Sequence, residues 1–463
     1  TGTEITADIT IPANTTIAIQ GPVFVGQDGG TSATLTLEQG VTIYGASSSG
    51  TATATDDYLV VARGSQLVVN GTEAAPVRMT ARAAINDEQT GSSIIEEGTN
   101  AQWGGLVING FAGINDCADD TAAGGTAACE KSGEGASGFF GGGDDADDSG
   151  SINYLIVEFA GARLTNEDEL NGIAFQGVGS GTEVNYIQVH NNLDDGIEWF
   201  GGTVDVKYAV VTGAGDDSID WTDGWRGRLQ FALVDSDVPS SGDPRGIEAD
   251  NQRPNDLTPV SSPGISNFTL VGSSGNQQGI LLRRGTEVTL VNGVVTGFPR
   301  GLDVDDAQTF TNFDNGNLNI QSILIDAPTP FEQDGDGVPA FAADDNVVAT
   351  NSSLRNRFFP GAAEQAITPV QPPAEEQAFF GASIDYIGAF SPTETPEANW
   401  ALFTQAGAAP LFPQEEATCP AGTVDAGTIT VAATAQTKLL CQIDGTNAIT
   451  SNLSLTNGAE IVY

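Results

Sequence analysis

Asp194-Asp195-Gly196-Ile197-Glu198-Trp199 returns 22 residues later as Asp216-Asp217-Ser218-Ile219-Asp220-Trp221. Outward from this pair, a small residue followed by Ile or Leu recurs as Gly172-Ile173, Gly246-Ile247, Gly279-Ile280 and Gly301-Leu302. Across the six copies the apolar residue returns after 24, 22, 28, 33 and 22 positions. Such a period marks a repeat architecture, in which one strand position is visited once per turn. A second apolar strand precedes three of the copies: Ile152–Val157, Val184–Val189 and Val206–Val211, each with a Tyr in its third position.

Short runs of Val, Ile, Thr and Tyr broken by Gly, Asn and Asp are β by composition. No convincing amphipathic helix is read before about residue 360. Propeller blades need about 40 residues and four strands. A unit of 22–24 residues matches one coil of a parallel β-helix instead, with equivalent strands about 4.8 Å apart. Leu35–Gly45, Leu59–Thr72 and Pro76–Thr80 continue strand, turn, strand toward the N-terminus.

At these residues the chain resembles secreted bacterial right-handed parallel β-helix proteins of the pectin-lyase-like fold. The resemblance is carried by Arg63-Gly64 to Thr80, Trp103–Gly110, the Asp-Asp-x-Ile-acid-Trp coils, and Asp385–Phe390 followed by Trp400, and it covers roughly residues 5–400. It implies an all-β, right-handed parallel β-helix with loop insertions and a surface or secreted location. It implies little about activity, since the architecture hosts many functions.

The organisation read from the sequence is a β-helix over 1–416, with insertions at about 111–150 and 237–263 and an irregular flank at about 311–416. Glu364-Gln365-Ala366 and Ala374–Phe380 are expected to be short helices in that flank. A C-terminal β extension follows over 417–463. Cys117 with Cys129, and Cys419 with Cys441, form local pairs that suggest two disulfides in an oxidising location; reduced buried thiols are the alternative. The chain starts at Thr1 and is expected to be a secreted product whose leader has been removed. No stretch approaches the 18 apolar residues a membrane helix needs.

Sixteen Lys and Arg stand against 61 Asp and Glu, a formal charge of −45. A chain this acidic repels nucleic acid and anionic membranes, and it attracts divalent cations. Clustered hard oxygens nominate calcium as the cofactor, with Asp144, Asp147, Asp194, Asp195, Asp216, Asp217, Asp303, Asp305, Asp334 and Asp336 as candidate ligands. None of these clusters completes a 12-residue loop closed by Glu.

Gly215-Asp216-Asp217 resembles the paired-Asp motif of polygalacturonase-type hydrolases, where carboxylates divide acid and base roles. The accompanying Gly-His-Gly and Arg-Ile-Lys elements have no match here. The lone His190 is read as a turn residue, and no residue is assigned a catalytic role. Seven of the sixteen basic residues lie between Arg226 and Arg300, the one feature that favours an acidic polysaccharide as partner. Trp199 and Trp221 hold equivalent positions and are read as stacked core in preference to a sugar-binding ladder.

The end of the chain echoes its start. Ile449–Tyr463 aligns without gaps on Ile5–Ile19, setting Ile449, Leu453, Leu455, Ile461 and Tyr463 on Ile5, Ile9, Ile11, Ile17 and Ile19. In the resembling family a stretch like Cys441–Tyr463 lies near the N-terminus, before a strand such as Val23–Gly26. A bare solenoid end templates association. The expected partner is therefore a second copy, joined head to tail into an extracellular filament, with Ile5, Ile9, Ile11 and Ile17 meeting the tail. Heterologous contacts of this kind grow open filaments unless their rotation closes a ring. Alternatives are a tail folded back as its own last coil, a longer tandem array, or a monomeric carbohydrate-binding or polysaccharide-degrading β-helix.

Overall fold

The computed structural model describes residues 2–46, 57–85, 99–165, 168–236, 243–254, 256–332, 338–395 and 400–401, and the backbone of Val424–Val431 and Gln436–Gln442. The chain winds as a right-handed parallel β-helix. Its first coil is β1 (Thr3–Ile5), β2 (Ile9–Ile11) and β3 (Thr16–Ile19). The second coil is β4 (Pro22–Val25), β5 (Thr34–Glu38) and β6 (Thr42–Gly45), each parallel to its counterpart below. Among the described residues, eleven strands stack into one parallel sheet and fourteen into a second.

The repeated Ile is the inner line of the eleven-stranded sheet. Ile173, Ile197, Ile219, Ile247, Ile280 and Leu302 lie in register, each no more than 1% exposed. Like residues stack because parallel, in-register coils repeat one environment. The small residue before each Ile has a steric cause. A Cβ on Gly196 would lie 2.3 Å from Val211 Cγ1 and 2.6 Å from the Ser218 carbonyl oxygen. Trp199 and Trp221 are fully buried, Trp199 stacking on Trp225 at 4.5 Å and on Phe175 at 5.8 Å. They are core, as their spacing suggested.

The fourteen-stranded sheet bends once per coil. Gly150–Glu158 pairs through its first half with Gln66–Asn70 and through its second half with Val77–Ala81. The bend is made by one left-handed residue per strand: Tyr154, Tyr186, Tyr208, Phe231, Asn267, Asn292 and Ser322, with φ between 55° and 63°. That corner divides the sheet into two faces, so each coil is a three-sided rung.

Gly293 follows the corner in its strand, and a Cβ there would lie 2.0 Å from the Phe268 ring of the neighbouring rung. Gly293→Ala should cost about 1–3 kcal/mol by overpacking. The fall in melting temperature measures this, and an unchanged value would refute the stacking.

Coils continue past the regular series through Arg300–Val304, Leu318–Asp326, Thr329–Phe331 and Val347–Ala349. The insertion read at 237–263 carries the strand Ile247–Asp250 through its middle; residues 237–242 and 255 lie outside the described residues. Contrary to expectation, helical segments precede residue 360, at 82–85 and, longest among the described residues, at Ala307–Asp314. Ala307–Asp314 is started by the Asp306 side chain, which accepts from the Gln308 and Thr309 amides. Its capping signal is legible, but eight residues are too few to show periodicity. The expected short helices are Ala362–Gln365 and Gln377–Phe380.

Two segments cover the solenoid. Residues 111–150 lie on the eleven-stranded sheet, where Ile114, Cys129 and Phe140 pack with Val107, Ala174 and Phe200. The Cys117–Cys129 disulfide, with Cα atoms 4.8 Å apart, closes this segment, and Lys131 ties it to the rungs through Asp223. The flank beyond residue 350 covers the second sheet: Phe358, Phe359 and Phe390 pack on Val210, Leu233 and Val271. Val424–Val431 and Gln436–Gln442 form an antiparallel hairpin. Cys419 and residues 443–463 lie outside the described residues, and Cys441 is described by its backbone alone. No helix among the described residues is long and apolar enough to cross a membrane.

Candidate functional site

A strand buries alternate side chains, so the residue after each inner Ile faces out of the eleven-stranded sheet. That outer line reads Ala174, Glu198, Asp220, Glu248, Leu281, Asp303. Beside it stands the residue preceding each Gly or Ser: Asn171, Asp195, Asp217, Arg245, Gln278, Arg300. Two parallel columns of carboxylates are thereby brought together in the middle of the solenoid. They are nevertheless buried. Asp195, Glu198, Asp217, Asp220 and Glu248 are each no more than 9% exposed.

Burial dominates the electrostatics, and neighbouring carboxylates add to it. Asp194 is pushed up to about 7, by burial first and then by Glu169 and Asp216. Asp195, Glu198, Asp217 and Asp220 are raised well above the ordinary carboxylate range by burial and then by one another and by Glu248. Three of the seven clustered arginines supply counter-charge to the upper half. Arg245 meets Glu248 at 3.1 Å and Asp217 at 3.5 Å; Arg283 pairs with Glu248 and Asp250; Arg284 reaches Asp250 at 2.9 Å. The lower half has less compensation. Asn171 donates to Glu198, Asp195 accepts from the Asp217 amide, and Arg163 draws Asp194 down only in part.

Two sets of three carboxylates come within 4.8 Å of one another: Asp194, Asp195 and Asp216, and Asp195, Asp217 and Asp220. Asp216 Oδ1 and Asp220 Oδ1 are buried with no hydrogen-bond partner among the described residues. Hard oxygens at this spacing, short of positive charge, are a donor set suited to a divalent cation. Asp220 and Glu198 were quoted in the repeat but not nominated as ligands; the missing signal was that both alternate outward into the same column.

The other nominated aspartates join neither set. Asp144 caps the Ala146 amide and Asp147 accepts from Ser149 Oγ, both within the covering segment. Asp303 accepts from Gln278, and Asp305 accepts from the adjacent Asp306 amide. Asp334 and Asp336 lie outside the described residues. His190 ends a strand of the other sheet, 2.7 Å from Thr212 Oγ1, and does not belong to the acid columns.

The first rung is the second candidate site. β1, β2 and β3 pair only with β4, β5 and β6, so their outer edges carry no strand among the described residues. Ile5, Ile9, Ile11 and Ile17 lie in register with Val25, Leu35, Leu37 and Ile43, which are all no more than 3% exposed. Ile9 is 41% exposed, and Ile5, Ile11 and Ile17 are partly buried against the core.

A family model described as a pectate-lyase-like β-helix domain matches residues 3–356. No curated protein and no solved structure matches the chain.

Proposed function

Because the chain belongs to the pectate-lyase-like β-helix domain family, whose architecture hosts many activities, we propose a role drawn from its ends: it is a structural subunit of an extracellular bacterial filament or surface appendage. Subunits join head to tail, and residues 449–463 of one copy complete the first rung of the next. The observation that carries this reading is the gapless match of 449–463 to 5–19, set beside a first rung whose inward isoleucines are only half covered. An in-register tail would lay Ile449 on Ile5, Leu453 on Ile9, Leu455 on Ile11 and Ile461 on Ile17. Main-chain hydrogen bonds along three open edges would supply affinity, and alternate side chains the fit. Residues 357–463 lie beyond the family match.

The test is direct. Purified full-length protein, screened by salt, is expected to form unbranched fibres in negative-stain micrographs. Single particles at every ionic strength and concentration would overturn the proposal.

A second role attaches to the acid columns, namely binding of calcium or a similar divalent cation by Asp194, Asp195 and Asp216, or by Asp195, Asp217 and Asp220. The unpartnered Asp216 and Asp220 oxygens support it. Such binding would also lower the self-repulsion that a charge of −45 imposes on stacked subunits.

A further inference from the structure

A groove of about 410 Å³ opens where the corner column of the fourteen-stranded sheet changes from asparagine to aromatic residues. At Asn267 and Asn292 the corner side chains hold the flank, bonding the Tyr386 carbonyl at 2.9 Å and the Val370 backbone. From Phe231 back to Tyr154 the column is a ladder. Tyr154, Tyr186 and Tyr208 stack at 4.3 Å with planes 1° apart, and Phe231 follows at 4.8 Å. All four rings are partly exposed. The hydroxyls of Tyr154, Tyr186 and Tyr208 are hydrogen-bonded in a row along the solenoid axis. Tyr386 and Trp400 from the flank form the opposite wall, Trp400 tilted 59° from Tyr208 at 5.3 Å.

The chemistry of the lining narrows what this groove takes. Among the described residues Glu73 and Glu394 line it and no Lys, Arg or His does, so an anionic ligand meets only like charge. A cation is attracted to aromatic faces and not to the positive ring edges. Here the ladder's faces cover one another, and edges and hydroxyls point outward. A neutral ligand rich in hydroxyls suits both parts. Each phenol oxygen keeps hydrogen-bonding capacity beyond its bond in the row, and the tilted Trp400 gives an apolar plane for C–H groups. The ladder spans four rungs, so the ligand is extended.

We propose that this groove binds a neutral oligosaccharide lying along the solenoid axis. The site is separate from the acid columns and from the first rung, and the proposal does not rest on head-to-tail assembly. Full-length protein is titrated with cellohexaose, laminarihexaose and mannohexaose, alongside hexagalacturonate and spermidine, by calorimetry. At least one neutral hexasaccharide is expected to bind with a Kd below about 1 mM. Trp400→Ala should weaken it roughly tenfold. Tyr186→Phe, which keeps the stack and removes one hydroxyl, should weaken it less, with its own melting temperature unchanged. The proposal fails if no neutral hexasaccharide binds at about 1 mM, if only hexagalacturonate or spermidine binds, or if both variants bind like the parent.

Discussion

Deletion of residues 443–463 is expected to abolish fibre growth while leaving the melting temperature of the solenoid within a few degrees of the parent. The tail offers five apolar side chains, Ile449, Leu453, Leu455, Ile461 and Tyr463. Fully buried, a residue of this kind stabilises by about 1.5–3 kcal/mol. Association costs about 4–15 kcal/mol in lost freedom. Side chains alone therefore come close to balancing that cost, and the hydrogen bonds along β1, β2 and β3 must supply the surplus. Such a margin makes assembly sensitive to single anchors.

Ile9→Asp is the sharper test of the same contact. Ile9 is 41% exposed in the folded chain, so a charge there costs the subunit little. Covered by a donated strand, the same carboxylate would be desolvated without a partner, which is strongly unfavourable. A peptide of residues 443–463 added in trans should cap the first rung and stop elongation by the parent protein. Fibres from the truncated chain, seen by microscopy, would show that the tail is not the connector.

The second large effect is on stability against pH. In chelator, the melting temperature should fall as pH rises from about 4.5 to about 7. The sign follows from the acid columns. Asp194 holds its proton up to about 7 in the folded chain, whereas an unfolded Asp releases it near 3.9. Between those values the folded state binds more protons, so stability declines with rising pH, by about 1.4 kcal/mol per pH unit for each carboxyl. Asp195, Glu198, Asp217 and Asp220 shift in the same direction and share their protons across the columns. Asp145 and Glu364 are lowered and act oppositely, but only at more acidic pH.

Calcium, if it takes the place of those protons, should flatten this slope, so its stabilising effect is largest near neutrality. Asp220→Asn removes one buried charge at nearly constant shape. It should raise the melting temperature of the chelated protein at pH 7 and shrink the calcium effect. Differential scanning calorimetry across the pH range decides both points. A melting temperature that climbs from pH 4.5 to 7 in chelator refutes the buried-charge account, and one that calcium alters at no pH refutes the cation site.

Much of this architecture could be read from the chain. The coil period was visible because Ile173, Ile197, Ile219, Ile247, Ile280 and Leu302 occupy one inner line, and a stacked line demands one residue type. The core placement of Trp199 and Trp221 followed from the same register. The helix Ala307–Asp314 was hidden by its length. The tyrosine ladder was present as a 22-residue spacing between Tyr186 and Tyr208, but within a strand alternation does not reveal a corner. Only the left-handed backbone at those positions turns them outward together.

Periodicity in one dimension thus determined the coil, its handed family resemblance and the inner apolar lines, because stacking repeats each local choice at every turn. What the tertiary structure alone decided was burial of the outward acids. Glu198 and Asp220 alternate outward from the eleven-stranded sheet, yet each is only 9% exposed, and Glu198 stands near Glu134 of the covering segment. Distances along the sequence carry no information about which distant loop lies over which face, and that covering is what turns a charged surface column into a site short of counter-charge.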